Sequence, residues 1–234
     1  MNSIQSRASG TVDAMPVTRD ARMPVAGAEP AAGARDTGRM EAFSDGVIAI
    51  AITLLVLEIR VPHLADFPPG TTLAGALRAL WPSYVGYVTS FVVIGIIWAN
   101  HHRLFRYIAR VDHVLILLNT LLLLCIAFIP FPTALLAEYL EDAHEGRTAA
   151  LVYSGTLVAT GLVYNLLWRY ASTGHRLLRQ DADPRVVRRI RRWFAVGPLL
   201  CGLSFAAAFV SVKASLVVYL VIALLYVLPI DPDR

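Results

Sequence analysis

The sequence predicts an all-α membrane protein with six transmembrane helices in each subunit. Of its 234 residues, 56% are apolar and only 16% are charged, whereas soluble domains carry about 25% charged residues. The apolar residues form charge-free blocks, and a helix needs about 20 such residues to cross a bilayer. The net charge is +4, but the basic residues stand between the apolar blocks rather than on one face. This composition argues against a soluble enzyme and favours a polytopic membrane protein.

The apolar blocks, taken in order, predict the six helices. The first helix is unusual because its charge-free core, 46–57, is short and is bounded by Asp45 and Glu58. The other five helices have longer charge-free spans. In the third helix of the chain, Pro130 and Pro132 should break or kink the helix near its outer end. The predicted helices cover about 42–61, 81–100, 114–137, 148–168, 193–212 and 214–230.

Both ends of the transmembrane domain, 39–230, are predicted to face the cytoplasm. Residues 1–38 are rich in Ala, Gly and Pro and should form a disordered tail, and 231–234 form a short C-terminal tail. With the N-terminus inside, 17 basic residues fall on inner segments and 4 on outer segments, as the positive-inside rule requires. We therefore expect a multi-pass protein of the cell (plasma) membrane.

The sequence contains no pattern that is typical of an enzyme or of a cofactor site. It lacks a nucleophile–base arrangement and the H-E-x-x-H zinc motif, and Cys125 and Cys201 lie within apolar blocks without metal-ligand spacing. We expect no enzymatic activity, no cofactor and no resident metal. The arginine run 185–192 is interpreted as a lipid-phosphate contact. A nucleic-acid surface is the weaker alternative, because no aromatic residues are interleaved for base stacking.

The first helix carries a single apolar face with one hydroxyl. Gly46, Ile50, Thr53, Leu54 and Leu57 recur at helical spacing. Such a stripe on a membrane helix can face lipid, a neighbouring helix or a pore, and spacing alone does not distinguish these. Asp45 is either a helix cap at the inner interface or a membrane-embedded acid that faces protein or water.

A specific motif opens this helix. The stretch Arg39-Met-Glu-Ala-Phe43-Ser44-Asp45 resembles the R-x-x-x-F-S-D signature of the transmembrane protein 175 family of potassium channels. The similarity extends to IWANHHRLFRYI at 97–108 and to LNTLLLLCIAFIPFPTALLAEY at 118–139. Animal members of that family carry two six-helix repeats and act in endosomes and lysosomes. This chain has one repeat and is similar to prokaryotic members.

The resemblance implies a homotetramer in which the first helix of each subunit lines the ion path. The implied pore-lining residues are Ile50, Thr53, Leu54 and Leu57. The implied network at the inner end of the helix consists of Arg39, Phe43, Ser44 and Asp45, with His101, His102 or Asn119 as partners.

The expected function is therefore that of a potassium-selective leak channel. Rings of Ile50 and Leu54 would form an apolar constriction that gates by dewetting, and the Thr53 hydroxyls could form a selectivity layer. Glu58 is either a cation-attracting group at the outer mouth or a solvated interface residue. The main alternative is a proton-coupled or proton-conducting transporter that uses Asp45, Glu58 and the histidines. An integral-membrane enzyme or regulator is a further, weaker alternative.

Overall fold

The computed structural model describes residues 32–142, 144–212, 214–215, 217–219 and 221, and this part of the chain is helical. Within these residues, Ile108 and Leu178 form an isolated antiparallel β-bridge. The helices are α1 (Ala32–Leu54), α2 (Leu73–Ala79), α3 (Trp81–Phe105), α4 (His113–Phe128), α5 (Pro130–Tyr139), α6 (Glu145–Ser172) and α7 (Pro184–Ala208). A 3-10 turn, Leu55–Glu58, continues α1. The predicted all-α class is confirmed.

Four stretches of the described residues are long and apolar enough to cross a membrane. They are Asp36–Glu58, Trp81–Phe105, His113–Tyr139 and Glu145–His175. The third stretch joins α4 and α5, which are separated at Ile129, directly before Pro130. The predicted break at Pro130 and Pro132 is confirmed, and its cause is that proline lacks an N–H and clashes with the preceding turn.

Two predicted helix starts are wrong. The first helix begins at Ala32 rather than near 42, so residues 32–38 are helical and not a disordered tail, and its α-helical part ends at Leu54 rather than near 61. The fifth begins at Pro184 rather than at 193. In both cases the helix continues past its apolar core into charged sequence, and hydropathy detects the core alone. Residues 1–31 and most of the predicted sixth helix, 214–230, lie outside the described residues.

The start of α7 has a local cause. The Asp183 carboxylate accepts a hydrogen bond from the Arg185 amide at 2.7 Å, and Pro184 occupies the first turn. An aspartate cap followed by proline is a strong helix start. The arginine run is therefore the first part of a helix rather than an irregular loop.

The loops at one end of the subunit bind each other. The Ala109 amide donates to the Leu177 carbonyl at 2.8 Å, and the Tyr170 hydroxyl donates to the Asp112 carboxylate at 2.6 Å. Asp112 also caps α4 by accepting from the Leu115 amide. Desolvation, the largest single effect, raises the pKa of Asp112, but the two hydrogen bonds together with the electrostatic effects of Arg176 and His113 lower it by more, so the pKa lies below its ordinary value. The α3–α4 and α6–α7 loops therefore hold together through a carboxylate that stays ionised.

A proline inside α7 is compensated from the neighbouring helix. Pro198 cannot donate to the carbonyl four residues earlier, that of Phe194. The Asn165 side-chain amide of α6 donates to this carbonyl at 2.7 Å and to the Gly161 carbonyl at 2.9 Å. A Cβ atom at Gly161 would stand 3.0 Å from the Pro198 ring, so the two helices are in close contact here. Asn165 therefore joins α6 to α7 at the proline.

Replacing Asn165 with Leu is expected to destabilise the protein by about 1–2 kcal/mol, because the Phe194 carbonyl then loses its partner. In the Pro198→Ala background the backbone can supply that partner, so the same replacement should cost clearly less. A double-mutant cycle of unfolding free energies in detergent measures this coupling. Strictly additive costs would show that Asn165 does not compensate for the proline.

Candidate functional site

The stripe on α1 is turned away from the rest of its own subunit. The side chains of Ile50, Leu54 and Leu57 are 61%, 41% and 70% exposed. The opposite face of the helix is buried and consists of Met40, Ser44, Ile48, Ala51 and Leu55. One face of α1 therefore fixes the helix to its bundle, while the stripe is free to meet water, lipid or other copies of the chain.

The small residues of the stripe lie on the same open face. A Cβ atom added at Gly46 would have no heavy atom within 4 Å. The Thr53 hydroxyl donates to the Ile50 carbonyl at 2.9 Å, which directs its oxygen along the helix backbone and leaves lone pairs to accept. Glu58 is half-buried at the end of the 3-10 turn. The stripe therefore continues past the end of α1 at Leu54 and ends at Leu57, within the 3-10 turn.

A buried chain of polar groups lies behind the stripe. The Asn119 amide nitrogen of α4 donates to the Ser44 hydroxyl at 2.8 Å, and Ser44 donates to the Met40 carbonyl at 2.8 Å. The Asn119 amide oxygen bonds the His101 Nε2 of α3 at 3.0 Å. Since Asn119 uses its oxygen here, His101 must carry the proton on Nε2. Three helices therefore meet at one amide.

Two further contacts hold α1 to α3. The Trp98 indole N–H donates to the Asp45 carboxylate at 2.9 Å, and His102 Nδ1 lies 2.7 Å from Glu41 Oε1. The Trp98 and His102 rings are stacked, with centroids 6.3 Å apart. The sequence did not indicate Trp98 or Glu41 as partners, because each pair is more than fifty residues apart. Trp98 and His102 are four residues apart on α3, and Glu41 and Asp45 are four residues apart on α1. This matched spacing can be recognised as a signal only when it is known that α1 and α3 pack together.

The expected network is thus brought together in part. Ser44, Asp45, His101, His102 and Asn119 all take part in it. Arg39 and Phe43 do not: both are exposed, and within the described part of the chain Arg39 forms neither an ion pair nor a side-chain hydrogen bond. The described residues also hold no group of three His, Cys, Asp or Glu that could bind a metal.

Several known proteins are similar to this chain in sequence. The profile of the family described as "Endosomal/lysosomal potassium channel TMEM175" matches residues 39–130. Potassium channel Cha6605_3372 of Chamaesiphon minutus is 49% identical over 82% of this chain and 94% of its own length. Potassium channel B446_29190 of Streptomyces collinus is 50% identical over 82% of this chain and 91% of its own.

A solved structure is similar to this chain in both fold and sequence. The crystal structure of a lysosomal potassium-selective channel TMEM175 homolog from Chamaesiphon minutus superposes with a TM-score of 0.74 at 45% identity, over 83% of this chain and 97% of that one. The helical fold with its membrane spans, taken together with these relatives, defines a multi-pass membrane channel rather than an enzyme. Because the relatives match over nearly their whole length, the chain belongs to the TMEM175 family.

Proposed function

We propose that this protein is a potassium-selective leak channel of the cell membrane, assembled as a homotetramer of six-helix subunits. The observation that carries the proposal is the apolar stripe of α1, which is exposed in the single subunit while the opposite face is buried. Two relatives that match over nearly their whole length are named potassium channels. Exposed apolar side chains on a membrane helix can face lipid, another subunit or a pore, and the similarity to proteins named potassium channels favours the pore.

Four copies of the stripe would surround one axis. Ile50, Leu54 and Leu57 would form stacked apolar rings, and a narrow apolar ring holds water poorly and so resists ion entry. Potassium releases its water more easily than sodium, so a dehydrating constriction favours potassium. Thr53 lies at the same depth as Leu54 and would supply one ring of oxygens. These four residues are the proposed pore lining.

The buried network would hold this helix in place. Asn119 ties Ser44 to His101, and Trp98 ties Asp45 to α3, so the inner end of α1 is fixed by bonds on both sides. A rigid inner end keeps the radius of the constriction constant. Ser44, Asp45, His101 and Asn119 are therefore proposed as positioning residues, and Arg39 and Phe43 as groups that face the inner mouth.

The proposed orientation places both termini in the cytoplasm. The arginine-rich start of α7 then lies on the inner side with the α3–α4 loop, as the positive-inside rule favours. Glu58, at the opposite end of the stripe from Asp45, would lie near the outer mouth and raise the local cation concentration.

Ion flux through purified protein in liposomes tests the function. Potassium should move passively down its gradient and faster than sodium, with no second gradient required. Flux that stops unless another ion gradient is present would contradict a channel and favour a coupled transporter.

Proton conduction is the second candidate, and the acid and imidazole groups at the inner end favour it. Glu41 with His102, and Asp45 with Trp98, form two acid-containing pairs beside the stripe. Asp45→Asn keeps a hydrogen-bond acceptor for Trp98 but removes the charge. We expect potassium flux in this variant to stay within about threefold of the unmodified protein, because the constriction lies further along α1.

The same liposomes report the competing outcome through an internal pH dye. Trp98→Phe serves as the matched control, since it removes the hydrogen bond and leaves the Asp45 carboxylate. The proton pathway would be established instead if proton flux is lost in Asp45→Asn, retained in Trp98→Phe and unaffected by changes at Ile50.

A further inference from the structure

A second feature lies outside α1 and its stripe. A crevice with a volume of about 110 Å³ runs between α3, α6 and α7. Ile97, Leu157 and Cys201 line it from the three helices, and Tyr219 closes one side. Asn165 also borders it, but its amide nitrogen is bound to the carbonyls of Phe194 and Gly161. The walls are therefore almost wholly apolar and suit a hydrocarbon chain.

The three helices that line the crevice each carry an arginine beyond one of its ends. Asn100, Asn165 and Phe194 are the lining residues nearest this end on their respective helices. Each helix carries an arginine three or four residues beyond that lining residue, about one turn further toward this end and at the edge of the crevice-facing side. These arginines are Arg103 of α3, Arg169 of α6 and Arg191 of α7. Ile108 follows α3, and Leu178 lies between α6 and α7. These two residues form a β-bridge, so the end of α3 and the α6–α7 segment meet at this end of the subunit.

These three charges are not neutralised by the protein that surrounds them. Arg169 and Arg191 are exposed and Arg103 is half-buried. Throughout the ranges that the structure describes, no carboxylate forms an ion pair with any of them. Guanidinium groups bind phosphate oxygens through pairs of N–H donors. The crevice therefore offers a phosphate site at one end and an apolar channel along its length.

We propose that this crevice binds one anionic phospholipid of the inner membrane leaflet. Its phosphate contacts Arg103, Arg169 and Arg191, and one acyl chain lies along the crevice towards Cys201. A soluble phosphate compound would leave the apolar walls unfilled, and an uncharged lipid would leave three arginines without an anion. The site goes beyond the proposed conduction pathway, because none of its lining residues belongs to α1, and it can be tested without measuring flux.

Native mass spectrometry of the purified, delipidated full-length protein tests the headgroup site. The probes are phosphatidylglycerol and phosphatidylcholine with identical acyl chains. We expect the unmodified protein to bind phosphatidylglycerol about tenfold more tightly or better, and R103Q/R169Q/R191Q to lose this preference. The matched control R185Q/R188Q/R192Q removes the same charge from the part of α7 that points away from the crevice and should keep it.

A second pair of variants tests the acyl-chain site. Cys201→Phe fills the crevice and should weaken the binding of both lipids about tenfold, whereas Cys125→Phe on α4 places the same ring elsewhere and should not. Ile97→Phe replaces Cys201→Phe if that variant does not fold. In the headgroup experiment, an equal loss of the preference for phosphatidylglycerol in the two triple arginine variants would indicate diffuse attraction to anionic lipid and would overturn the site. Unchanged binding in the filled crevice, or no phospholipid binding at all, would also overturn it.

Discussion

Replacing Ile50 or Leu54 with Asn is expected to abolish most of the discrimination between potassium and sodium and to raise total cation flux. An amide in the constriction holds water where the native side chain excludes it, so an ion need not shed its hydration shell to pass. A tenfold rise in flux corresponds to a barrier lower by about 1.4 kcal/mol, a plausible size for wetting one apolar ring. The measurement is liposome flux or single-channel current in opposed potassium and sodium gradients.

The control for these variants is Leu162→Asn. Leu162 lies on α6, is 57% exposed like the stripe residues, and receives the same chemical change. The Leu162→Asn variant should keep normal selectivity, and its flux should be normal when it is compared at equal amounts of protein. If the α1 variants also behave like the unmodified protein, the pore lies elsewhere and the stripe faces lipid or another helix.

Much of the fold could be predicted because a bilayer imposes simple rules. The apolar blocks around 81–100, 114–137 and 148–168 became α3, the pair α4 and α5, and α6. The kink at Pro130 followed from the missing N–H alone. The errors share one cause, since hydropathy marks where a helix is buried in lipid rather than where it begins. Asp183 and Pro184, the cap and first-turn proline, were present in the sequence as a signal for the true start of α7.

The residues of the candidate site could be predicted only where they belong to a recognisable sequence motif. Ser44 and Asp45 are adjacent to the stripe and belong to the motif, so the sequence pointed to both. Trp98 could not be found in this way, because its bond to Asp45 spans 53 residues and depends on how α1 and α3 align. The exposure of Phe43 also depends on that alignment, which decides the faces of α1 that are buried. Pairing between helices is a tertiary property, and periodicity within one helix does not contain it.

Replacing Asn119 with Leu is expected to cost about 2–3 kcal/mol of unfolding free energy, because buried groups are left without partners. The side chain of Asn119 is buried and joins Ser44 to His101, which is fully buried. Leucine matches asparagine in approximate size but offers neither donor nor acceptor. Unfolding in a denaturing detergent titration measures the loss. Thr120→Val is the matched control, since among the described residues that hydroxyl bonds the Ile116 carbonyl of its own helix and no other helix, and its loss should change stability by about 0.5 kcal/mol or less.

A double-mutant cycle separates this network from general packing. Once Asn119 is Leu, Ser44→Ala has no interhelical bond left to remove, so its cost should fall by about 1 kcal/mol relative to the unmodified background. Additive costs would show that the two side chains act independently. Selectivity distinguishes the remaining possibilities: if the network positions α1, potassium discrimination falls together with stability in Asn119→Leu. If it only stabilises the fold, the surviving channels discriminate normally, and the radius of the constriction is set by contacts along Ile48, Ala51 and Leu55 instead.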